Sequence, residues 1–233
     1  SRSPGRKSPQ LHHATTSDLV ALLDHSNGWH RDTASRLLYQ RQDRTAIPSL
    51  LSMASEAVSA EGRATSLHVL HGLKALQETS VLAALDDPSA DVRVQALRLA
   101  ENFVADSPAI RDRMTQMVGD AEETVRYQLA FSLGAFHGPS SIRALSQLAQ
   151  TDGADKWMRL AILSSTGEGA DSLFSLLAAR KDIRSAKHGQ LLMLALVQQI
   201  SARGRTSEIS VVLRSLETLA TQDKALRDAV VKA

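Results

Sequence analysis

The sequence predicts an all-α protein, a right-handed α-solenoid of about six to seven helix pairs, on three observations. An arginine returns at nearly fixed intervals, Arg31, Arg63, Arg93, Arg126 and Arg159, in steps of 32, 30, 33 and 33 residues, each opening a similar run of apolar and small residues. Apolar positions recur at spacings of three and four, with little of the alternation that marks a strand. Hydrophobic residues make up 43% of the chain but aromatics only 3%, so the core is filled by Leu, Ala, Val and Ile between closely approaching helices. Each period is a helix pair unable to bury its apolar face alone. A chain built to stack in this way presents a long surface to a partner more readily than it encloses an active site.

Along the chain, residues 1–16 read as a basic, Ser/Pro-rich linker and residues 17–233 as the helical array. The linker begins with Arg2, Arg6 and Lys7 and no acid among the first ten residues, and it lacks the apolar centre of a signal peptide. This start, together with the uncapped end at Ala233, suggests a piece of something longer. First helices are expected near residues 19–23, 47–54, 81–85, 110–118 and 142–149, each followed by a turn, the repeat arginine and a longer second helix. Asp24, Asp87, Asp120 and Asp152 stand six or seven residues ahead of Arg31, Arg93, Arg126 and Arg159. There an aspartate can cap free amides or reach the guanidinium of its own or a neighbouring unit. As exposed pairs these would contribute no more than ~0.5–1 kcal/mol each, fixing registry more than stability. The second unit departs from the pattern, with Glu61 before Arg63 and no aspartate upstream.

Counted from each arginine, positions 3, 6, 7 and 10 collect one apolar stripe. It comprises Ala34, Leu37 and Leu38; Ser66, Val69, Leu70 and Leu73; Ala96, Leu99, Ala100 and Phe103; and Leu129, Ser132, Leu133 and Phe136. Gly134, Gly138 with Pro139, and Gly167-Glu168-Gly169 mark helix ends and turns. Two further helices are expected over 171–179 and 188–201, then a basic turn at Arg203-Gly204-Arg205 and a last helix over 208–220. These later units lose the aspartate-to-arginine signature.

Composition and motifs narrow the chemistry. The net charge is +2, yet without the three basic residues of the first ten the body holds 24 basic against 25 acidic side chains. A duplex-binding surface wants a basic excess. With no cysteine, disulfides, thiolate nucleophiles, Cys-ligated zinc and covalent haem attachment are all excluded. The longest apolar run, residues 191–197, is far short of the ~20 needed to span a bilayer. Among eight histidines, His68 and His71 share a helical face, but no His-Glu pair accompanies them, and a metal site wants three or four convergent ligands. No Gly-x-Ser-x-Gly elbow, phosphate-cradling glycine loop or paired acidic motif occurs. Trp29 and Trp157 each stand two residues before a repeat arginine. A ring there is expected to close over a repeat junction, the alternative being a flat aromatic platform beside Arg31 or Arg159.

The candidate binding surface is the second-helix face opposite the core, at positions 2, 5 and 9 from each arginine. It reads Thr33, Arg36 and Gln40; Thr65, His68 and Gly72; Gln95, Arg98 and Asn102; Gln128, Phe131 and Ala135; and Ala161, Ser164 and Glu168. On the concave side of a solenoid these residues form a groove, polar and basic at first and more apolar from Phe131 onward. Graded polarity of this kind suits a protein segment or neighbouring domain better than a uniform polyanion.

The pattern Asp-x-x-x-x-Val-Arg-x-x-Ala at 87–96 resembles HEAT repeats of the short type also found in bilin lyases, with imperfect copies over roughly 18–168. The stretch from Asp18 to Ala34, Val125-Arg-Tyr-Gln-Leu-Ala-Phe-Ser-Leu-Gly134 and Trp157-Met-Arg-Leu-Ala-Ile-Leu-Ser-Ser165 are similar to the HEAT region of large planctomycete-type membrane-bound dehydrogenase and haem-binding proteins. That resemblance implies an extracytoplasmic redox assembly, with the repeats between a β-propeller and a cytochrome c domain. No Cys-x-x-Cys-His and no strand-rich propeller occur in this chain, so neither haem nor sugar chemistry is carried over. The expectation is a monomeric, non-catalytic scaffold without cofactors, binding a protein or a neighbouring domain of the same polypeptide. Nucleic-acid binding through a local stripe of Arg36, Arg98, Arg203 and Arg205 is the alternative. A HEAT-type lyase or hydroxylase comes third.

Overall fold

The computed structural model describes residues 11–219, and every regular element among them is a helix. The chain divides after Ala100 into two units. The first holds α1 (Thr16–Leu22), α2 (Gly28–Arg41), α3 (Ile47–Glu56), α4 (Ala60–Gly72), α5 (Glu78–Leu85) and α6 (Ala90–Ala100). The second holds α7 (Pro108–Gln116), α8 (Glu123–Ser132), α9 (Pro139–Asp152), α10 (Lys156–Ser165), α11 (Ala170–Ala178), the short α12 (Lys181–Ser185), α13 (Lys187–Arg203) and α14 (Thr206–Leu219). Within the first unit α2, α4 and α6 pack side by side as second helices, with α1, α3 and α5 as the first-helix layer. Within the second, α8, α10 and α13 form one layer, and α7, α9, α11 and α14 the other.

The helix starts are written in local chemistry. Thr15 caps α1 and closes a box with Asp18, while Asn27, Ser59, Ser107 and Asp155 accept hydrogen bonds from first-turn amides of α2, α4, α7 and α10. Each satisfies a backbone donor that the helix itself leaves open. Proline occupies the first turn of α3, α7 and α9, where its missing N–H costs nothing. Of the expected linker, residues 1–10 lie outside the described residues. Leu11–His13 forms a 3-10 turn, held by Arg41, whose guanidinium donates to the carbonyls of Ala14 at 2.6 Å and His12 at 2.9 Å. The last expected helix is α14, although Ala220 lies outside the described residues.

The predicted stripe is buried apart from two residues. Leu37 is half-buried, and so is Phe103, with Val104 taking the interior place. Helix α6 stops at Ala100, so the helical count no longer governs the tenth position. The interior also takes positions that the stripe omitted: Val92, Val125 and Met158 just before the arginine, and Leu67, Leu97 and Ala130 four after it. At 3.6 residues per turn the position before the arginine falls within the stripe, while the fourth after it lies about 60° beyond its edge, so the buried face is wider than the ~100° arc of the stripe alone.

Each repeat arginine grips its own turn. Its Nη1 donates to the carbonyls six and five residues earlier: Arg31 to His25 and Ser26, Arg63 to Ala57 and Val58, Arg93 to Asp87 and Pro88, Arg126 to Asp120 and Ala121, Arg159 to Gly153 and Ala154. These carbonyls lie just beyond the first helix, where they have no intrahelical partner. Arg184 on α12 repeats the grip, donating to the Ala178 carbonyl at 2.6 Å. It is buried and continues a series that the sequence spacing alone ends at Arg159.

Arg63 and Arg126 also reach forward. Arg63 Nε and Nη2 donate to Asp87 at 2.7 and 2.8 Å, and Arg126 does the same to Asp152 at 2.8 Å for both bonds. The aspartate therefore serves the preceding unit's arginine. Its own unit's arginine takes the backbone carbonyl, as when Arg93 binds the Asp87 oxygen. These pairs are not exposed: the Arg63 and Asp87 side chains retain 12% and 9% of their accessible surface. Burial opposes ionisation of Asp87 most strongly. The Arg63 hydrogen bonds, the Ser89 amide and the nearby guanidiniums of Arg63 and Arg93 outweigh it and hold the carboxyl below its ordinary value.

Candidate interaction surfaces

With their inner faces committed to the core, the second helices turn the opposite face outward. In the first unit Arg36 and Gln40 on α2, His68 on α4 and Arg98 on α6 are exposed, while Thr33 and Gln95 are half-buried. Three of these meet. His68 Nε2–H donates to Gln95 Oε1 at 3.0 Å, and Arg98 Nη1 reaches the same oxygen at 3.5 Å. Beside them the Tyr39 ring lies over Gly72, where a Cβ would sit 2.7 Å from ring carbon Cδ2. The second-helix face of this unit is thus largely polar, with the Tyr39 ring laid across the α2–α4 seam and Trp29 exposed at the start of α2.

The second unit presents a different face. Phe131 on α8 is 41% exposed and stacks edge-to-face on Tyr127 at 5.1 Å. On α10 Trp157 is 61% exposed and Leu160 46%, and Leu191 on α13 is likewise uncovered. Lys156 Nζ lies 5.5 Å from the Trp157 ring centre, at cation–π range. Trp157, Leu160 and Ser164 fall three and four apart on one stripe. Ser164 turns its hydroxyl back to the Ala161 carbonyl at 2.7 Å, and Gln128 donates to Ser132, which donates in turn to Glu101.

Several placements differ from expectation. Ala161, expected on the outward face, is fully buried, because α10 packs between α8, α9 and α13. Asn102 is exposed but stands in the turn after α6, in the second unit. Neither tryptophan closes a repeat junction. Trp29 is 51% exposed, its ring perpendicular to that of His30 with the centres 5.2 Å apart. Two residues before the arginine is the same helical face as five after it, so an indole there points away from the core.

The basic turn is neutralised by acids. Arg205 pairs with Glu168 at 2.8 Å and with Glu208 at 3.2 Å, and Arg203 lies 3.5 Å from the buried Glu208. The Arg205 hydrogen bond holds the Glu168 carboxyl below its ordinary value. Among the described residues no three His, Cys, Asp or Glu side chains converge on a point that could hold a metal, and no helix is long and apolar enough to cross a membrane.

A cleft of about 630 Å³, unforeseen from the sequence, opens on the first-helix side of the second unit, between α9, α11 and α14. Its lining comes from residues 137 to 211, scattered over three helices and two glycine turns. The only signal of it in the sequence was the turn glycines themselves.

Residues 78–165, spanning α5 to α10, match the family model of HEAT repeats. No curated protein matches the chain.

Proposed function

We propose that this chain is a non-catalytic helical-repeat scaffold that binds a protein segment or a neighbouring domain through the outward faces of its second helices. The observation that carries the reading is the uncovered apolar stripe of the second unit: Phe131, Trp157, Leu160 and Leu191 all stand in water on helices whose opposite faces are fully packed. Grouped exposed aromatics and leucines of this kind mark association surfaces. The contact residues are Thr33, Arg36, Gln40, His68, Gln95 and Arg98 in the first unit and Asn102, Gln128, Phe131 and Ser164 in the second. The match to HEAT repeats supports a scaffold.

The finer assignment rests on the resemblance described above. In it the bound partner is a propeller or cytochrome c domain of a larger extracytoplasmic redox protein, and this chain supplies spacing or docking without redox chemistry of its own.

Nucleic-acid binding is the weaker reading, because two of its four arginines are already ion-paired with Glu168 and Glu208. The test is affinity capture of partners with the wild-type chain and with a Phe131→Ser, Trp157→Ser double variant. The proposal expects a protein retained by the wild type and lost by the variant, whose melting temperature is unchanged. Binding to duplex or single-stranded nucleic acid with a steep salt dependence, and no protein retained, would overturn it.

A further inference from the structure

The first-helix cleft of the second unit is built by its turns. Gly167 adopts φ +50°, and a Cβ there would lie 2.6 Å from His137 Cε1, so the imidazole rests directly on the turn. A Cβ on Gly169 would collide with Ile142 Cδ1. The two glycines of Gly167-Glu168-Gly169 therefore seat two residues that line the same cavity. Ile142, Leu176 and Val211 give it an aliphatic part to its lining. At about 630 Å³ it falls within the roughly 300–1,000 Å³ of pockets that take drug-sized ligands.

The charges on its walls select the ligand. Glu168 is neutralised by Arg205. Arg143 on α9 and Asp171 at the start of α11 both line the cleft, yet neither forms an ion pair among the described residues. The two opposite charges come from different helices, Arg143 from α9 and Asp171 from α11, and share the cavity with its aliphatic side chains. Such a site is complementary to a molecule with a carboxylate at one end, an ammonium at the other and aliphatic groups in the middle. A guanidinium suits the carboxylate because it can donate two parallel hydrogen bonds.

We propose that this cleft binds a short unblocked peptide with aliphatic side chains, its C-terminal carboxylate on Arg143, its N-terminal ammonium on Asp171 and its side chains on Ile142, Leu176 and Val211. The site is separate from the second-helix faces, so it stands or falls independently of the scaffold reading. The experiment is calorimetric titration of the chain with trileucine, N-acetyl-trileucine, trileucine amide and free leucine, repeated on Arg143→Gln and Asp171→Asn. Both residues are at the surface, and unchanged thermal melting will verify that the variants fold.

Saturable one-to-one binding of trileucine is expected, weakened about tenfold by blocking either end. Acetylation should cost nothing further in Asp171→Asn, and amidation nothing further in Arg143→Gln. The proposal is overturned if trileucine does not saturate the chain, if the blocked peptides bind as tightly as the free one, or if the blocking penalties persist in the matched variants. Free leucine binding as tightly as trileucine would also overturn it.

Discussion

Arg63 and Asp87 are joined by two parallel hydrogen bonds of 2.7 and 2.8 Å, across the boundary between two successive helix pairs. The same guanidinium holds the Ala57 and Val58 carbonyls of its own turn. Each of its three nitrogens is thus engaged, and the Arg63 and Asp87 side chains themselves keep little access to water.

Arg63→Ala should therefore destabilise the chain by about 2–4 kcal/mol, somewhat less than the 3–5 kcal/mol typical when a fully buried pair is broken. Arg126→Ala, which breaks the same arrangement with Asp152, should fall in the same range. Lysine cannot reproduce the planar fork, so Arg63→Lys should recover less than half the loss. Urea unfolding gives these numbers. A loss below about 1 kcal/mol at both sites would mean that the pairs behave as solvated ones.

Acid should act through Asp87. Its folded carboxyl titrates below the unfolded one, so its contribution is fully present above the unfolded value of about 3.9 and is lost as pH falls through the folded value. Urea midpoints measured from about pH 6 down to about pH 3 should decline most steeply at the acid end. In Asp87→Asn stability should be lower at neutral pH but less sensitive to acid. An identical acid slope in the two proteins would show that other carboxylates dominate.

In the core, Leu133→Ala and Leu99→Ala should each cost ~2–5 kcal/mol. Hydrogen exchange should then show loss of protection in the neighbouring helices of the same unit, because a stacked repeat is stabilised by its neighbours. Loss of protection confined to the mutated helix would contradict this coupling.

Two glycines should respond oppositely to alanine. Gly189 lies buried in α13, and a Cβ there would collide with the Ile183 carbonyl of α12. Gly189→Ala should thus cost more than about 1–3 kcal/mol, despite alanine's advantage within a helix. A methyl group added at Gly119 would meet nothing within 4 Å, and the alanine substitution there should be neutral or stabilising by up to about 1 kcal/mol. Thermal melting of the two variants will separate them.

Much of the architecture was legible because it is local. The arginine period, the capping residues and the three-and-four spacing of Leu129 and Leu133 are all set within a turn or two of chain. Arg184 escaped because it follows Arg159 by 25 residues and sits on an extra short helix with no aspartate six or seven residues ahead. The outward face was legible in register but not in character: Ala161 is interior because neighbouring helices close on α10, and no count along one helix reveals that. Ring size suggests a junction role for the tryptophans, whereas their register places them outward. The cleft was invisible because its walls come from separated stretches, and only folding brings Arg143 and Asp171 to one cavity.

The double grip of the repeat arginine also bears on how such a chain can grow. One edge of the residue locks the turn of its own brick, and at Arg63 and Arg126 the other clasps the brick that follows. A duplicated stretch of some thirty-three residues then arrives carrying both the lock for itself and the acid its predecessor needs. Lengthening by whole copies needs no compensating change elsewhere, whereas a deletion of half a copy would strand a guanidinium without its clasp.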